Sequence, residues 1–243
     1  MPTYDLIVPN FVTLASLPIV RQCLESVRQH SPGSRLILVD NASPALDQIE
    51  PELSRHPNIL KILNRENLGF VNAVNQGLRA STADYVVIIN NDIVVVPDWL
   101  PRMQAAFTGN VGLVGPRSNS NGTISGELPY RTATILPPGQ MLVFFCVAIK
   151  RAVIDRIGLL DESFGIGLGD DDEYCWRAQQ AGFDLCYLGD LTIHHWHKTT
   201  FNQLYSREEI RKMGWDAVDN LRAKSTGSSI VPQACRHTRP SNI

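Results

Sequence analysis

Through the first 115 residues, short apolar runs alternate with stretches whose apolar residues recur every three or four positions, the pattern of strand-helix-strand units on a mainly parallel sheet. The spacing predicts a strand over Tyr4–Val8, stopped by Pro9. Ser16 then opens a helix presenting Ile19, Val20, Cys23, Leu24 and Val27 on one face. A second strand, Leu36–Val39, ends in Asp40. Ile59–Leu63 leads through a loop to a helix with Phe70, Val71, Val74 and Leu78 inward. Tyr85–Ile89 follows and ends in Asn90, Asn91 and Asp92. A helix is expected from about Asp98 to Phe107, and Gly112–Gly126, rich in Gly, Pro, Ser and Asn, reads as loop.

The second half is less regular. Met141–Ile149 is an apolar run whose Val, Phe and Ile content favours a buried strand, and Ala152–Ile157 reads as a short helix. Glycines at 165, 167 and 169 precede four consecutive acids, Asp170–Glu173, which open a helix running to Ala181 and closed by Gly182. Strands are expected at Phe183–Leu188 and Leu191–His195. Ser206 and Glu209 form a capping box for a last helix near 207–222. Lys224–Ile243 has no acids and two prolines and reads as a flexible tail. No internal repeat is visible.

A chain of 243 residues fits one compact unit at roughly 100–200 residues per domain. With 44% hydrophobic and 19% charged residues it can build a core, which excludes disorder. The net charge of -2 lacks the basic excess of a protein that lives on phosphate-backbone contacts, so nucleic acid is not the expected partner. No apolar run is long enough for a membrane span, and Met1–Asp5 lacks the basic start of a signal peptide, so a soluble cytoplasmic protein is expected. The five cysteines are scattered and never paired as C-x-x-C, which suggests neither a disulfide framework nor a zinc ribbon.

In an open parallel sheet, ligands bind where the strands end. Pro9-Asn10, Asp40-Asn41 and Asn90-Asn91-Asp92 all fall at such ends, although Asp and Asn also favour turns. Asp92 with its two amides offers oxygen ligands of the kind Mg²⁺ or Mn²⁺ prefers, with pyrophosphate and water completing the shell. Four successive acids exceed what capping a helix requires, and their crowding raises proton affinity toward that of a general base. Of His194, His195 and His197, alternation along an extended segment sends His195 and His197 to one side and His194 to the other.

Taken in order, these motifs resemble a family 2 glycosyltransferase of the A-type fold, similar to bacterial rhamnosyltransferase-like members. The match runs from about Tyr4 to Thr200 and includes Val8-Pro9-Asn10-Phe11, Val39-Asp40-Asn41-Ala42-Ser43, and Asn64-Arg65-Glu66-Asn67-Leu68-Gly69-Phe70 with Asn72, Asn75 and Gly77. It continues through Asn90-Asn91-Asp92, Gly169-Asp170-Asp171-Asp172-Glu173 with Arg177, and Ile193-His194-His195. The resemblance implies a single α/β domain over residues 1–223, in which a nucleotide-sugar-binding half (about 1–115) merges with an acceptor-binding, catalytic half (about 116–223). It implies inverting transfer from a nucleotide-diphospho-sugar to a carbohydrate, lipid-linked or other hydroxyl acceptor, in polysaccharide, glycolipid or glycoconjugate synthesis. Asp40 would bind the nucleobase beside Pro9 and Asn10, and Asn67, Gly69 and Asn72 would lie against nucleotide and sugar. Asn90-Asn91-Asp92 replaces the family's Asp-X-Asp, so a divalent cation would rest on Asp92, with His195 as the late ligand. Asp171 would be the catalytic base, with Asp170, Glu173 and His194 in acceptor-side or supporting positions.

Two other classes remain in view. A nucleotidyltransferase or dehydrogenase on a related sheet lacks its early glycine-rich loop here. A non-catalytic nucleotide- or sugar-binding module would keep Asp40 without needing Asp171. The basic tail with Trp196, Phe201 and Tyr205 is compatible with peripheral contact at the inner face of a membrane, although a solvated tail accounts for it more simply.

Overall fold

Central strands buried on both faces carry continuous apolar runs, and the first half of the chain supplies three of them together with a more exposed edge strand. A computed structural model describes residues 3–119, 131–196 and 201–236, without the side chains of residues 201 and 202. In it β1 (Tyr4–Asn10), β2 (Arg35–Asp40), β3 (Ile59–Leu63) and β4 (Tyr85–Ile89) are parallel neighbours in the order β3-β2-β1-β4. Alternate residues feed opposite cores. Leu6, Val8, Leu36, Leu38, Val87 and Ile89 pack with α1 (Leu17–His30) on one face. Ile7, Ile37, Val39, Val86 and Ile88 pack with α3 (Gly69–Ala80) on the other. A short helix, α2 (Glu50–Leu53), lies between β2 and β3. Ser16 does stand at the start of α1, but its hydroxyl accepts from the Thr13 N–H at 3.0 Å rather than from an α1 amide.

Beyond β4 come β5 (Ile93–Val94), α4 (Trp99–Ala105), β6 (Val111–Ser118), β7 (Ala133–Ile135), β8 (Cys146–Lys150), α5 (Arg151–Ile157), α6 (Asp170–Gln180), β9 (Asp184–His195), α7 (Phe201–Leu204) and α8 (Arg207–Ser225). The sheet continues β4-β8-β6-β9-β5, with β7 also on β9. β8 is antiparallel to both β4 and β6, β6 is parallel to β9, and β5 and β7 run against β9. The sheet is therefore mixed rather than mainly parallel. Its parallel character is confined to the first half and to the β6–β9 pair.

The largest correction is β6, which occupies the start of the segment read as a loop; residues 120–130 lie outside the described residues. Its glycines mark close packing rather than turns. A Cβ on Gly112 would lie 2.6 Å from Val153 Cγ2 and 2.9 Å from Phe183 Cβ, and one on Gly115 would lie 3.0 Å from Leu142 Cδ2. Gly112→Ala is accordingly expected to lower unfolding free energy by about 1–3 kcal/mol through overpacking. Urea denaturation measures this, and an unchanged midpoint would mean that α5 has room to yield. The two late strands form one strand, β9, with an irregularity opposite Pro116/Arg117. The apolar run 141–149 is extended only from Cys146. The capping box at Ser206 is present, the Ser206 hydroxyl accepting from the Glu209 N–H at 3.3 Å.

The chain after α8 does not behave as a free tail over the described residues. Ile230 accepts from Trp176 Nε1 at 3.0 Å, Gln233 N–H donates to the Gly139 carbonyl at 2.7 Å, and Ala234 is buried. Residues 237–243 lie outside the described residues, as do His197 and the side chain of Phe201. Among the described residues, no helix is long and apolar enough to cross a membrane.

Candidate active site

The register of the parallel strands decides which polar residues meet. Asn10 and Asp40 are direct partners at the ends of β1 and β2, and the turn after β4 delivers Asn91 beside them. Asn91 Nδ2 donates to Asn10 Oδ1 at 3.0 Å, and Asn10 Nδ2 donates to Asp40 Oδ1 at 2.8 Å. Ser43 closes the network. Its hydroxyl donates to Asp40 Oδ1 at 2.5 Å and accepts from the Val12 N–H at 2.8 Å, while its own N–H donates to Asp40 Oδ2 at 3.0 Å. Asp40 is thus both a turn-forming residue and the terminus of a relay reaching Asn91. Asn10 and Asp40 are almost wholly buried, at 1% and 2% exposure, so these groups are fixed by the protein. Pro9 lies beyond the last residue that β4 pairs, where β1 projects past its neighbour.

On the other side of the turn, β5 pairs Ile93 with His195 of β9, and Trp196 N–H donates to the Asp92 carbonyl at 3.0 Å. That pairing sets Asp92 Oδ1 3.1 Å from His195 Nε2. Asn90 Nδ2 is 3.5 Å from the same nitrogen, and the His195 N–H donates to Asn119 Oδ1 at 2.5 Å. His194 is on the opposite face of β9, against Trp196 with ring centroids 4.6 Å apart, and does not join this pair.

A carboxylate oxygen and an imidazole nitrogen this close suit adjacent ligands of one Mg²⁺ or Mn²⁺ ion, whose usual partners are carboxylates, imidazoles, phosphates and water. No group of three or more His, Cys, Asp or Glu that could hold a metal occurs among the described residues. The donor set fits a cation that takes its remaining ligands from a bound diphosphate and water.

The acidic run forms the first turn of α6, after Gly169. Burial raises the proton affinity of Asp170, Asp171 and Asp172, and the charge of Asp171 raises it further at Asp170 and Asp172. Asp171 is pushed up to about 6, with burial opposed by hydrogen bonds from the backbone amides of Asp172, Phe144 and Asp171 itself. Of the three carboxyl groups, Asp171 is the one whose ionised form also gains from the amide of distant Phe144. Glu173 is different, being buried with both oxygens on Arg177, at 2.6 and 2.8 Å. Arg177 also donates to the carbonyls of Ile157 and Leu159, so Glu173 fastens α6 to the chain before it.

Two adjacent residues that sequence reasoning passed over join the halves of the site. The Phe144 amide faces Asp171. The Phe145 ring stacks on His195 with centroids 5.0 Å apart, and the Phe145 carbonyl accepts from the Asn90 N–H at 2.8 Å. One turn therefore contacts both the acidic end of α6, through Phe144, and the Asp92–His195 pair, through Phe145. Nothing in the apolar pattern of 141–149 distinguishes these two phenylalanines from core.

Asn67, Gly69 and Asn72 build the start of α3. Asn67 Oδ1 accepts from the Gly69 N–H at 2.9 Å, and Asn72 Nδ2 donates to the Leu68 carbonyl at 2.9 Å. Asn41, whose motif was noted without a role, donates to the Gly69 carbonyl at 3.1 Å and accepts from Asn64 Nδ2 at 2.9 Å.

Residues 5–158 match the sequence profile described as Glycosyl transferase family 2. The chain is 26% identical over 235 residues to the pre-mycofactocin glycosyltransferase of Mycobacterium tuberculosis, covering 90% of this chain and 45% of that protein. It thus spans less than half the length of that relative. Among solved structures, the mannosyltransferase PcManGT from Pyrobaculum calidifontis, in complex with GDP-Man and Mn²⁺, superposes with a TM-score of 0.70 at 17% identity over 96% of this chain and 66% of that one. GalNAc-T7 with UDP, GalNAc and Mn²⁺ gives a TM-score of 0.63 at 15% identity over 80% and 44% of the two chains. At such identities the likeness is one of fold.

Proposed function

The chain belongs to glycosyl transferase family 2, and on that premise we propose that it moves a sugar from a nucleoside-diphosphate sugar to an acceptor hydroxyl with inversion, Asp171 serving as general base. The observation that supports this reading is the turn at Phe144–Phe145, whose two residues touch a carboxylate of raised proton affinity on one side and a carboxylate–imidazole pair suited to a diphosphate-bound cation on the other.

An acceptor hydroxyl is a poor nucleophile at neutral pH, so its proton must leave as its oxygen attacks the anomeric carbon. Asp171 receives that proton on a carboxylate oxygen, and a base so placed contributes about 10²–10⁴-fold. Its value of about 6 leaves it ionised at neutral pH yet basic enough to accept. Attack opposite the leaving group breaks the bond to the nucleoside diphosphate and inverts the centre in one displacement. Asp92 and His195 would hold a divalent cation, which when bound supplies positive charge to the departing diphosphate. The Asn91–Asn10–Asp40 relay keeps the nucleotide end of the crevice in one geometry before the donor arrives, so little ordering remains to be done on binding. The donor fits the strand ends of the first half, and the acceptor fits the α6 side.

The test is a thermal-shift screen of nucleoside diphosphates with and without Mn²⁺, followed by donor-hydrolysis assays with a panel of nucleotide sugars. A Mn²⁺-dependent shift with turnover is expected. Affinity without turnover of any donor would favour a binding module, and no shift with any diphosphate would remove the nucleotide reading.

A further inference from the structure

The segment that carries Asp171 into place is gripped along its length by one helix. Asn75 of α3 is 1% exposed, and its side-chain amide makes a two-point clamp on Leu160: Nδ2 donates to the Leu160 carbonyl at 2.9 Å, and Oδ1 accepts from the Leu160 N–H at 3.0 Å. One turn further on, Arg79 holds Glu162 at 3.0 Å. One turn earlier, the Val71 N–H donates to the Gly165 carbonyl at 3.2 Å. At the start of the helix, an added Cβ on Gly69 would lie 2.8 Å from the Gly165 oxygen, and one on Gly167 would lie 2.9 Å from Phe70 Cβ. Gly69 has φ of +82° and Gly167 of +94°, so both backbones reach their contact in conformations that other residues rarely adopt.

From these contacts we infer that Asn75 is a positioning residue for the general base, acting through the segment Leu160–Gly169; the inference rests on the transferase reading above. The asparagine and glycine pattern at 67–77 then serves less to touch the donor than to hold the chain that leads into α6. A primary amide suits position 75 because it offers a donor and an acceptor in one plane to the two backbone groups of a single residue. Without it, Leu160 would keep a buried N–H and a buried carbonyl with no replacement, and the segment would loosen. A misplacement of about 1 Å at a reacting group costs on the order of 10²-fold in rate.

The experiment uses Asn75→Ala and, should that variant not fold, Asn75→Asp, which keeps the acceptor for the Leu160 N–H and loses the donor to the Leu160 carbonyl. The expected result is a fall in kcat of roughly 10–100-fold. Affinity for the nucleoside diphosphate giving the largest Mn²⁺-dependent shift should stay within about twofold. Amide hydrogen exchange should quicken over 158–169 and stay unchanged in β1 and β2. Combined with Asp171→Asn, the substitution should lower kcat little further, because the group it positions is already gone. Fully multiplicative losses in the double variant, or nucleotide affinity falling in step with kcat, would overturn the assignment. So would unchanged exchange over 158–169. A wild-type chain that turns over no nucleotide sugar would instead overturn the transferase reading, while the exchange measurement still decides whether Asn75 holds the segment.

Discussion

Asp171→Asn should lower transfer by about 10²–10⁴-fold while leaving nucleoside diphosphate affinity nearly unchanged. Asparagine keeps the size of the side chain and an oxygen that can still accept from the Asp172 amide, but it cannot take the hydroxyl proton. The same variant should be more stable than the parent at pH 8. The folded-state value of Asp171 lies above its ordinary value of 3.8, so the folded chain binds the proton more tightly than the unfolded one. Stability linked to this group is therefore highest at acid pH and declines as pH rises from the ordinary carboxylate range through about 6. An amide has no such cost, and a rise in Tm at pH 8 is expected, at roughly 2–4 °C for each kcal/mol recovered in a chain of this size. In the parent, kcat/KM should rise with pH along a limb centred near 6. Wild-type transfer by Asp171→Asn, together with loss in Asp170→Asn, would assign the base to the neighbouring acid. Asp172→Asn should have a much smaller effect.

Asp92→Asn should abolish the Mn²⁺-dependent part of nucleoside diphosphate binding. The loss should be at least the roughly 10–100-fold that removing an outer-shell partner costs a metal site. Asparagine is the better probe than alanine here, because Asp92 and His195 are both buried and alanine would strip the imidazole of its carboxylate neighbour. His195→Ala should weaken Mn²⁺-dependent binding similarly, and should also destabilise the fold through lost stacking on Phe145. Calorimetry of diphosphate binding with and without Mn²⁺ measures both effects. An undiminished Mn²⁺ contribution in folded Asp92→Asn would place the cation on other residues.

What the amino-acid order determined by itself is the first half of the sheet and the polar residues at its edge. Runs such as Leu36–Val39 and Val86–Ile89 are apolar at every position because both faces are buried, and that signal is local, as is the three-to-four spacing of α1 and α3. A strand that stops in Asp40 or in Asn90-Asn91-Asp92 carries its polar end in its own sequence. The capping box at Ser206 and the four acids opening α6 are local in the same way. Tertiary structure alone decided the rest. Gly112 and Gly115 look like loop residues until Val153, Phe183 and Leu142 are seen to need the space. Glu173 looks like part of an acidic site until Arg177 takes both its oxygens. Asp171 differs from Asp170 and Asp172 through an amide from Phe144, and Phe145 of the same turn reaches His195. Burial and hydrogen-bond partners brought from remote parts of the chain set the charge of a carboxyl group, and neither is encoded in the residues beside it.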